Sequence, residues 1–404
     1  MNIHRKKYFE KIKPFINKPI IKVITGMRRV GKSYFLKQII DQLKSDGISD
    51  NKIIFIDKDD IDFDFIQDYK NLNNYLHQKI TSKKEKYFLF IDEVQEIKNW
   101  EKVIVSLHKK EKVDIYLTGS NAHLLSSELS TLISGRYLEI KIYPLSYSEF
   151  VLFNGKTFTS HADCFAKYLR YGGMPGLFHL EQTDDTVYKY LESIFDTIIF
   201  KDIIKKYNIR NISLLEKIYK FLFENIGNLI TANSISKYLK SQKIKTYPDT
   251  VQNYLNYFTS AYLAYKVSRF DLKGKKILEF NDKYYINDLG IRHALFNYRP
   301  NDISQLLENV VYMELIYRGY KVNIGTGKNF EIDFIAIKQN EKIYIQVAYL
   351  LASEKTIKRE FKPLTEIKDN YPKFVISMDD KIWGDDYNGI KRLNIIDFLT
   401  NPLN

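Results

Sequence analysis

The sequence predicts an α/β chain of several domains, led by a parallel sheet that carries a phosphate-binding loop. Three observations point there. The chain has 404 residues, more than one hydrophobic core organises at one to two hundred residues per domain. A short apolar run near the N-terminus leads into a loop with the spacing G-x-x-x-x-G-K-[ST] and then into helix-like periodicity. A later apolar run ends in two consecutive acids. Hydrophobic residues make up 45% and there are only 17 Gly and 9 Pro, a composition that folds throughout and excludes fibrous or disordered classes.

The first element is the segment PIIKVITGMRRVGKSYFLKQIIDQL. Ile20 to Ile24 reads as a strand, and Phe35, Ile39, Ile40 and Leu43 have helical spacing. Between them lie Gly26, Gly31, Lys32 and Ser33, where backbone N–H groups can curl around phosphates and a helix N-terminus adds its dipole. Lys32 is expected to reach the β- and γ-phosphates and Ser33 to hold Mg²⁺, with Tyr34 completing the nucleotide-binding set. Arg28 and Arg29 read as loop support.

Next, NKIIFIDKDD gives a strand ending in acids, and Tyr87 to Ile91 feeds Asp92 and Glu93. An acid at a strand end can hold magnesium, and an adjacent glutamate can polarise the attacking water. Asp92 takes the first role and Glu93 the second, while Asp57, Asp59 and Asp60 read as solvated loop residues. A further strand, VDIYLTGSNAHLL, brings Thr118, Ser120 and Asn121 to the edge where an open parallel sheet presents ligands. Ser120 or Asn121 is a candidate γ-phosphate sensor. Arg136, just after Gly135, suits either an arginine finger offered to a neighbouring subunit or a structural ion pair.

The runs GMRRVGKS, LFIDEVQ, LTGSNAHLLSSELSTLISGR, YPLSYSEF and RYGGMPG together resemble the prokaryotic AAA+ ATPases that carry a C-terminal DUF4143 region, a group allied to archaeal-type ATPases. The resemblance extends over essentially the whole chain. It implies a P-loop AAA+ core at 1–155, ATP and Mg²⁺ as cofactors, a homo-oligomer, and catalytic roles for Lys32, Glu93, Asn121 and Arg136. Gly172, Gly173 and Pro175 mark a rigid turn within a helical lid at 156–210.

From Ser213 three helix-like units precede two alternating runs separated by a basic turn, the order of a winged helix-turn-helix, placed at 211–300. Thr250 to Leu263 is its would-be recognition helix. Gln252, Asn253 and Asn256 on that helix, with Arg269, Lys273, Lys275 and Lys276 on the wing, are candidate DNA contacts. Tyr254, Leu255 and Phe258 read as core. The alternative use of such a module is binding a protein.

Residues 301–404 follow the order α-β-β-β-α-β of restriction-endonuclease-like domains, with Glu308, Asp333 and Gln346 at the positions of their acids. Gln346 carries no charge to hold a divalent cation and Ala348 cannot activate water, so this domain is expected to be catalytically degenerate.

Lysine and arginine exceed aspartate and glutamate by 13, and counting gives 50 Lys to 12 Arg. The excess permits an anionic partner, although solvated lysine faces produce it as well. If the partner is DNA, lysine suits diffuse phosphate attraction over base reading and implies weak sequence preference. Cys164 is the only cysteine, which excludes an intrachain disulfide and a cysteine-only zinc site. A cytoplasmic protein is the default, with no apolar run long enough for stable membrane insertion. The functional expectation is Mg-dependent ATP hydrolysis coupled to DNA engagement. The alternatives are a nucleotide-dependent signalling or scaffold ATPase that binds proteins and, less favoured by Gln346 and Ala348, metal-dependent DNA cleavage.

Overall fold

The computed structural model describes residues 4–82, 84–122, 135–155, 160–380 and 386–403. Much of the quoted run between Asn121 and Arg136 lies outside them. The chain divides into two compact units, Met1–Tyr143 with Ser260–Tyr262, and Pro144–Thr259 with Leu263–Asn404.

The first unit is built on five parallel strands, β1 (Ile21–Thr25), β2 (Ile53–Asp57), β3 (Tyr87–Asp92), β4 (Val113–Gly119) and β5 (Tyr137–Lys141), in the order β2-β3-β4-β1-β5. Every residue of β1, β3 and β4 is buried, whereas the edge strands β2 and β5 are only partly so. This explains their near-continuous apolar runs, since parallel central strands are covered on both faces. Helices α1 (Lys6–Ile12), α2 (Lys32–Ser45), α3 (Tyr69–Lys79) and α4 (Glu101–Lys109) complete the unit. Ile56, Leu89, Ile91, Leu117, Trp100 and Ile104 share one core. Because β1 to β4 run in register, Thr25 lies opposite Gly119 and Asp57 opposite Asp92. Their C-terminal ends therefore share one edge, where ligands bind in such sheets. Lys22 of β1 is fully buried against Asp114 of β4, whose Oδ2 also accepts from the Asn17 backbone at 2.7 Å. A buried pair of this kind specifies strand placement more than it adds stability.

The second unit begins with α5 (Tyr147–Asn154), α6 (His161–Tyr171) and α7 (Asp184–Thr197), the last running into a π-helical stretch, Ile198–Lys205. Then come α8 (Ile212–Glu224), β6 (Leu229–Ile230), α9 (Ala232–Ser241), α10 (Pro248–Ser260), β7 (Ala264–Asp271), β8 (Lys276–Ile286) and α11 (Leu289–Phe296). The remainder is α12 (Ile303–Arg318), β9 (Lys321–Thr326), β10 (Glu331–Lys338), β11 (Glu341–Val347), α13 (Glu354–Thr365), β12 (Lys373–Ser377), β13 (Asp386–Tyr387), β14 (Ile390–Asn394) and α14 (Ile395–Thr400).

All of these strands belong to one nine-stranded sheet in the order β13-β14-β12-β11-β10-β9-β7-β8-β6. The β7-β8 hairpin, expected as a wing, is not free of the terminal strands, because β7 pairs in parallel with β9 from Arg269 opposite Ile324 to Asp271 opposite Thr326. Strands before and after residue 300 therefore share one sheet.

The glycines of RYGGMPG have a steric reason. A Cβ on Gly173 would lie 2.4 Å from the Leu145 carbonyl oxygen, and one on Gly172, at φ +74°, would strike the Asp288 carboxyl. That close approach lets Gly173 N–H donate to Asp288 Oδ2 at 2.7 Å and its carbonyl accept from Leu145 at 2.7 Å. Asp288 also caps α11 through the Ile291 N–H. Burial raises its carboxyl to about 6 against the opposing pull of the Gly173, Ile291 and Gly290 N–H groups. Among the described residues no helix is long and apolar enough to cross a membrane.

Candidate nucleotide-binding site

The loop between β1 and α2 has the backbone its glycines were chosen for. Gly26 sits at φ +146° with the Ile142 carbonyl where a Cβ would be, at 2.3 Å, and Gly31 at φ +96° is the left-handed N-cap of α2. No L side chain adopts these conformations without strain. Arg5, 4% exposed, reaches the loop from the start of α1, its Nη1 donating to the Val30 carbonyl at 3.2 Å and to that of Tyr143 at 2.9 Å. Nothing in the local pattern around Arg5 marked it as a loop support.

Lys32, the first residue of α2, turns its ammonium toward the Met27 carbonyl at 3.3 Å and Glu93 Oε1 at 3.4 Å. Both partners of that pair are buried. Ser33 bonds the Asp92 carboxylate, so the two expected magnesium ligands lie side by side. Tyr34, next along the helix, is 43% exposed.

Asp92 and Glu93 close β3, and Thr118 of β4 organises both. Its hydroxyl donates to Asp92 Oδ1 and accepts from the Glu93 N–H at 2.9 Å. Glu93 takes a left-handed conformation, φ 52° and ψ 52°, an uncommon state for a side-chain-bearing residue. Its other oxygen, Oε2, accepts from Gln95 Nε2. Burial pushes Asp92 up despite the Ser33 and Thr118 hydrogen bonds. Burial would raise Glu93 as well, but the Lys32 ammonium, the Gln95 amide and Arg28 outweigh it and hold the carboxyl below its ordinary value. Ser120 and Asn121 follow β4, 1% and 5% exposed, at the same edge of the sheet. Ser33 and Asp92 are hard oxygen donors on adjoining elements, a fit for Mg²⁺ completed by water and phosphate oxygens.

One expected residue lies elsewhere. Arg136 is exposed and precedes β5, its carbonyl accepting from Ile21 N–H at 2.9 Å at the start of β1. It therefore sits at the opposite edge of the sheet from the phosphate loop, roughly 15 Å away by the rise of a five-residue strand. As read from the sequence, the acids after β2 serve their own turn: Asp57 accepts from Asp59 N–H and Asp60 from Asp62 N–H, each at 3.1 Å.

In the second unit, Gln252 and Asn256 pair with each other on the exposed face of α10 at 3.1 Å, and Asn253 is exposed beside them. Tyr257 is stacked on Tyr207, ring centroids 3.8 Å apart, while Leu255 and Phe258 are core. Lys273, Lys275 and Lys276 stand exposed at the tip of the β7-β8 hairpin, whose turn is held by Lys273 N–H on Asp271 at 3.0 Å. Arg269 is not free at this tip, because its Nε donates to Thr326 on β9 at 3.0 Å.

Glu308, Asp333 and Gln346 do converge, around a cation the sequence pattern did not reveal. Lys283 of β8 enters the cluster from the wing, 2.9 Å from Glu308, 2.9 Å from Glu331 and 3.8 Å from Asp333. Gln346 Oε1 accepts from the Asp333 N–H at 3.4 Å, and Asp333 Oδ2 accepts from Val347 N–H at 2.8 Å. Burial would lower Lys283, but Glu308, Asp333 and Glu331 hold its ammonium above the ordinary lysine range. Ala348 is buried. Among the described residues no group of three or more His, Cys, Asp and Glu is placed to hold a metal ion.

The sheet order, the loop and the acid pair define a P-loop nucleotide-binding domain of the AAA class, and residues 18–151 match the family model described as an AAA domain. Residues 162–302 match a second model, a domain of unknown function, DUF8612. This finding overturns the DUF4143 assignment and, with it, the restriction-endonuclease-like identity of the C-terminal region. The physical counterpart is Lys283, which neutralises the acids that such an enzyme would keep for a metal. An uncharacterized protein of Haemophilus influenzae is 36% identical over 403 residues, covering 98% of both chains. Uncharacterized protein MJ1544 of Methanocaldococcus jannaschii is 32% identical over 384 residues, 89% of this chain and 82% of that one. The chain belongs to the same family as these two proteins. Among solved structures, Cdc6p from Pyrobaculum aerophilum has a TM-score of 0.33 at 9% identity over 77% of this chain and 95% of that one. Aeropyrum pernix Orc1, solved in complex with DNA, has a TM-score of 0.34 at 11% identity over 72% and 92%. Likeness this distant bears on neither mechanism nor partner.

Proposed function

We propose that the protein hydrolyses ATP at the phosphate loop. The observation that carries this reading is the grouping of Lys32, Ser33, Asp92, Glu93 and Thr118 at one edge of the parallel sheet, with Glu93 ionised and paired to Lys32. The loop N–H groups and the α2 N-terminus would bind the phosphates, and Lys32 would exchange Glu93 for the β- and γ-phosphate oxygens. Glu93, released from that pair, would take the proton of the attacking water. Mg²⁺ held by Ser33 and Asp92 would offset charge on the phosphates. Asn121 would sense the γ-phosphate, and Arg136 would serve the site of a neighbouring subunit in a homo-oligomer. Phosphate release by the purified chain, measured with and without Mg²⁺, tests the reading. No release in either condition, across a range of protein concentrations, refutes it.

A DNA partner rests on one observation, the three exposed lysines Lys273, Lys275 and Lys276 at the hairpin tip. Lysines in this setting attract phosphate with little sequence preference. Filter binding to DNA with and without a nonhydrolysable ATP analogue separates this reading from a protein-binding scaffold. Replacing Lys273, Lys275 and Lys276 by alanine should reduce the salt slope by up to about three, and absence of salt-sensitive binding in both nucleotide states leaves only protein partners.

A further inference from the structure

Glu93 spends both of its oxygens. Oε1 faces Lys32 at 3.4 Å and Oε2 accepts from Gln95 Nε2. The two contacts differ in what a nucleotide would do to them. Phosphate competes for Lys32 and frees Oε1, but it has no claim on the Gln95 amide, so Oε2 stays tethered while its neighbour is released.

The amide presents its nitrogen to the carboxylate, Nε2 donating to Glu93 Oε2. The amide oxygen is then turned away, and Gln95 Oε1 is buried with no hydrogen-bond partner among the described residues. A buried amide oxygen left without a donor is costly, and such atoms are uncommon in folded proteins. Here it lies one carbon from the nitrogen that holds the general base. Gln95 begins neither a long helix nor a strand; it sits in the short 3-10 turn Val94–Glu96, launched by the left-handed Glu93. That turn is what brings residue 95 back onto residue 93.

We propose that Gln95 is a positioning residue for hydrolysis: its Nε2 fixes the Glu93 carboxylate, so that Oε1 of Glu93, once freed from Lys32, meets the attacking water. This rests on the ATPase reading above. The water would give a hydrogen bond to Glu93 Oε1, which leaves an oxygen lone pair for the γ-phosphorus. In the step itself, the water oxygen bonds to phosphorus as the bond to the β,γ-bridging oxygen breaks, and the leaving electron pair stays on ADP. One water proton passes to Glu93, and Gln95 keeps its own protons throughout. A carboxylate held from behind orients the nucleophile, the kind of alignment from which much of the rate in phosphoryl transfer comes.

The test uses the full-length chain and the variant Gln95→Met, which has similar length but neither donor nor acceptor. Expected are ATP KM and ADP affinity within about twofold of wild type and a kcat at least about tenfold lower, below the roughly 10²–10⁴-fold that a general base contributes. Two probes then separate alignment from folding. ADP with beryllium fluoride mimics the ground state and should bind the variant as it binds wild type. ADP with aluminium fluoride, which mimics the in-line transition state with its water in place, should lose at least about tenfold in affinity. Unchanged kcat in Gln95→Met overturns the proposal, and so does equal weakening of both fluoride complexes, the signature of a merely structural role. A wild-type chain without turnover removes the ATPase reading and this inference together, whereas normal turnover in both proteins leaves the ATPase and removes only Gln95.

Discussion

Lys32 and Glu93 form an ion pair at 3.4 Å with both side chains buried, so in the proposed site the cation assigned to phosphate also restrains the carboxylate assigned as base. Their removal should have opposite effects. Lys32→Ala is expected to weaken ATP binding by at least about tenfold, a loss of about 1.4 kcal/mol or more. Glu93→Gln is expected to bind ATP as tightly as wild type or tighter, because its competitor for Lys32 is gone, while turnover falls about 10²–10⁴-fold. Titration with a fluorescent nucleotide and single-turnover hydrolysis check both, and intact binding and turnover in the two variants would sink the site.

Arg136 occupies the sheet edge opposite the phosphate loop, which fits service to a second subunit and not to its own. Arg136→Ala should keep nucleotide affinity and lose turnover, by up to about 10³-fold for an arginine finger. Mixing it with Glu93→Gln subunits, which retain Arg136, should restore part of the rate. Normal turnover of Arg136→Ala alone at every protein concentration would remove the role.

Lys283 is the only cation seen among Glu308, Glu331 and Asp333 in the described residues. Lys283→Met should leave those acids facing one another and cost about 3–5 kcal/mol, the range for breaking a buried ion pair from one side. Adding Asp333→Asn should return part of it. Urea unfolding of the three proteins provides the comparison, and a stability for Lys283→Met equal to wild type would show that the cluster tolerates its own charge.

His293 is fully buried on α11, and burial together with neighbouring Arg292 lowers its imidazole to about 3. The unfolded chain binds a proton near pH 6.5 that the folded chain refuses, so stability present above that pH is lost as pH falls toward 3. Between pH 7 and pH 5 this amounts to about 2 kcal/mol. His293→Gln should lack that part of the decline. Parallel unfolding curves for the two proteins at both pH values would contradict it.

The first unit was legible because its chemistry is local. One strand, one loop and the first turn of one helix hold Gly26, Gly31, Lys32 and Ser33, and a strand end holds Asp92 and Glu93. What the sequence concealed came from distant pairings. Arg5 reaches Val30 and Tyr143, Lys22 finds Asp114, and Lys283 enters an acid cluster whose other members follow it by 25 residues or more. A buried lysine in an alternating strand looks like an exposed one until its neighbours are known. Gln95 was visible inside LFIDEVQ, but only the left-handed Glu93 turns it back toward the site. The identity of the C-terminal region was misread for a related reason. Helix and strand order together with acids at suggestive positions left the occupant of the cluster undetermined, and that occupant arrives from β8.

The pairing of β7 with β9 bears on inheritance as well as on shape. Recombination that severed the chain near residue 300 would turn an interior strand into a raw edge from Arg269 to Asp271 and strip Glu308, Glu331 and Asp333 from Lys283. Neither fragment would carry a complete sheet, so descent that preserves this fold should keep the β7-β8 hairpin and the terminal strands together.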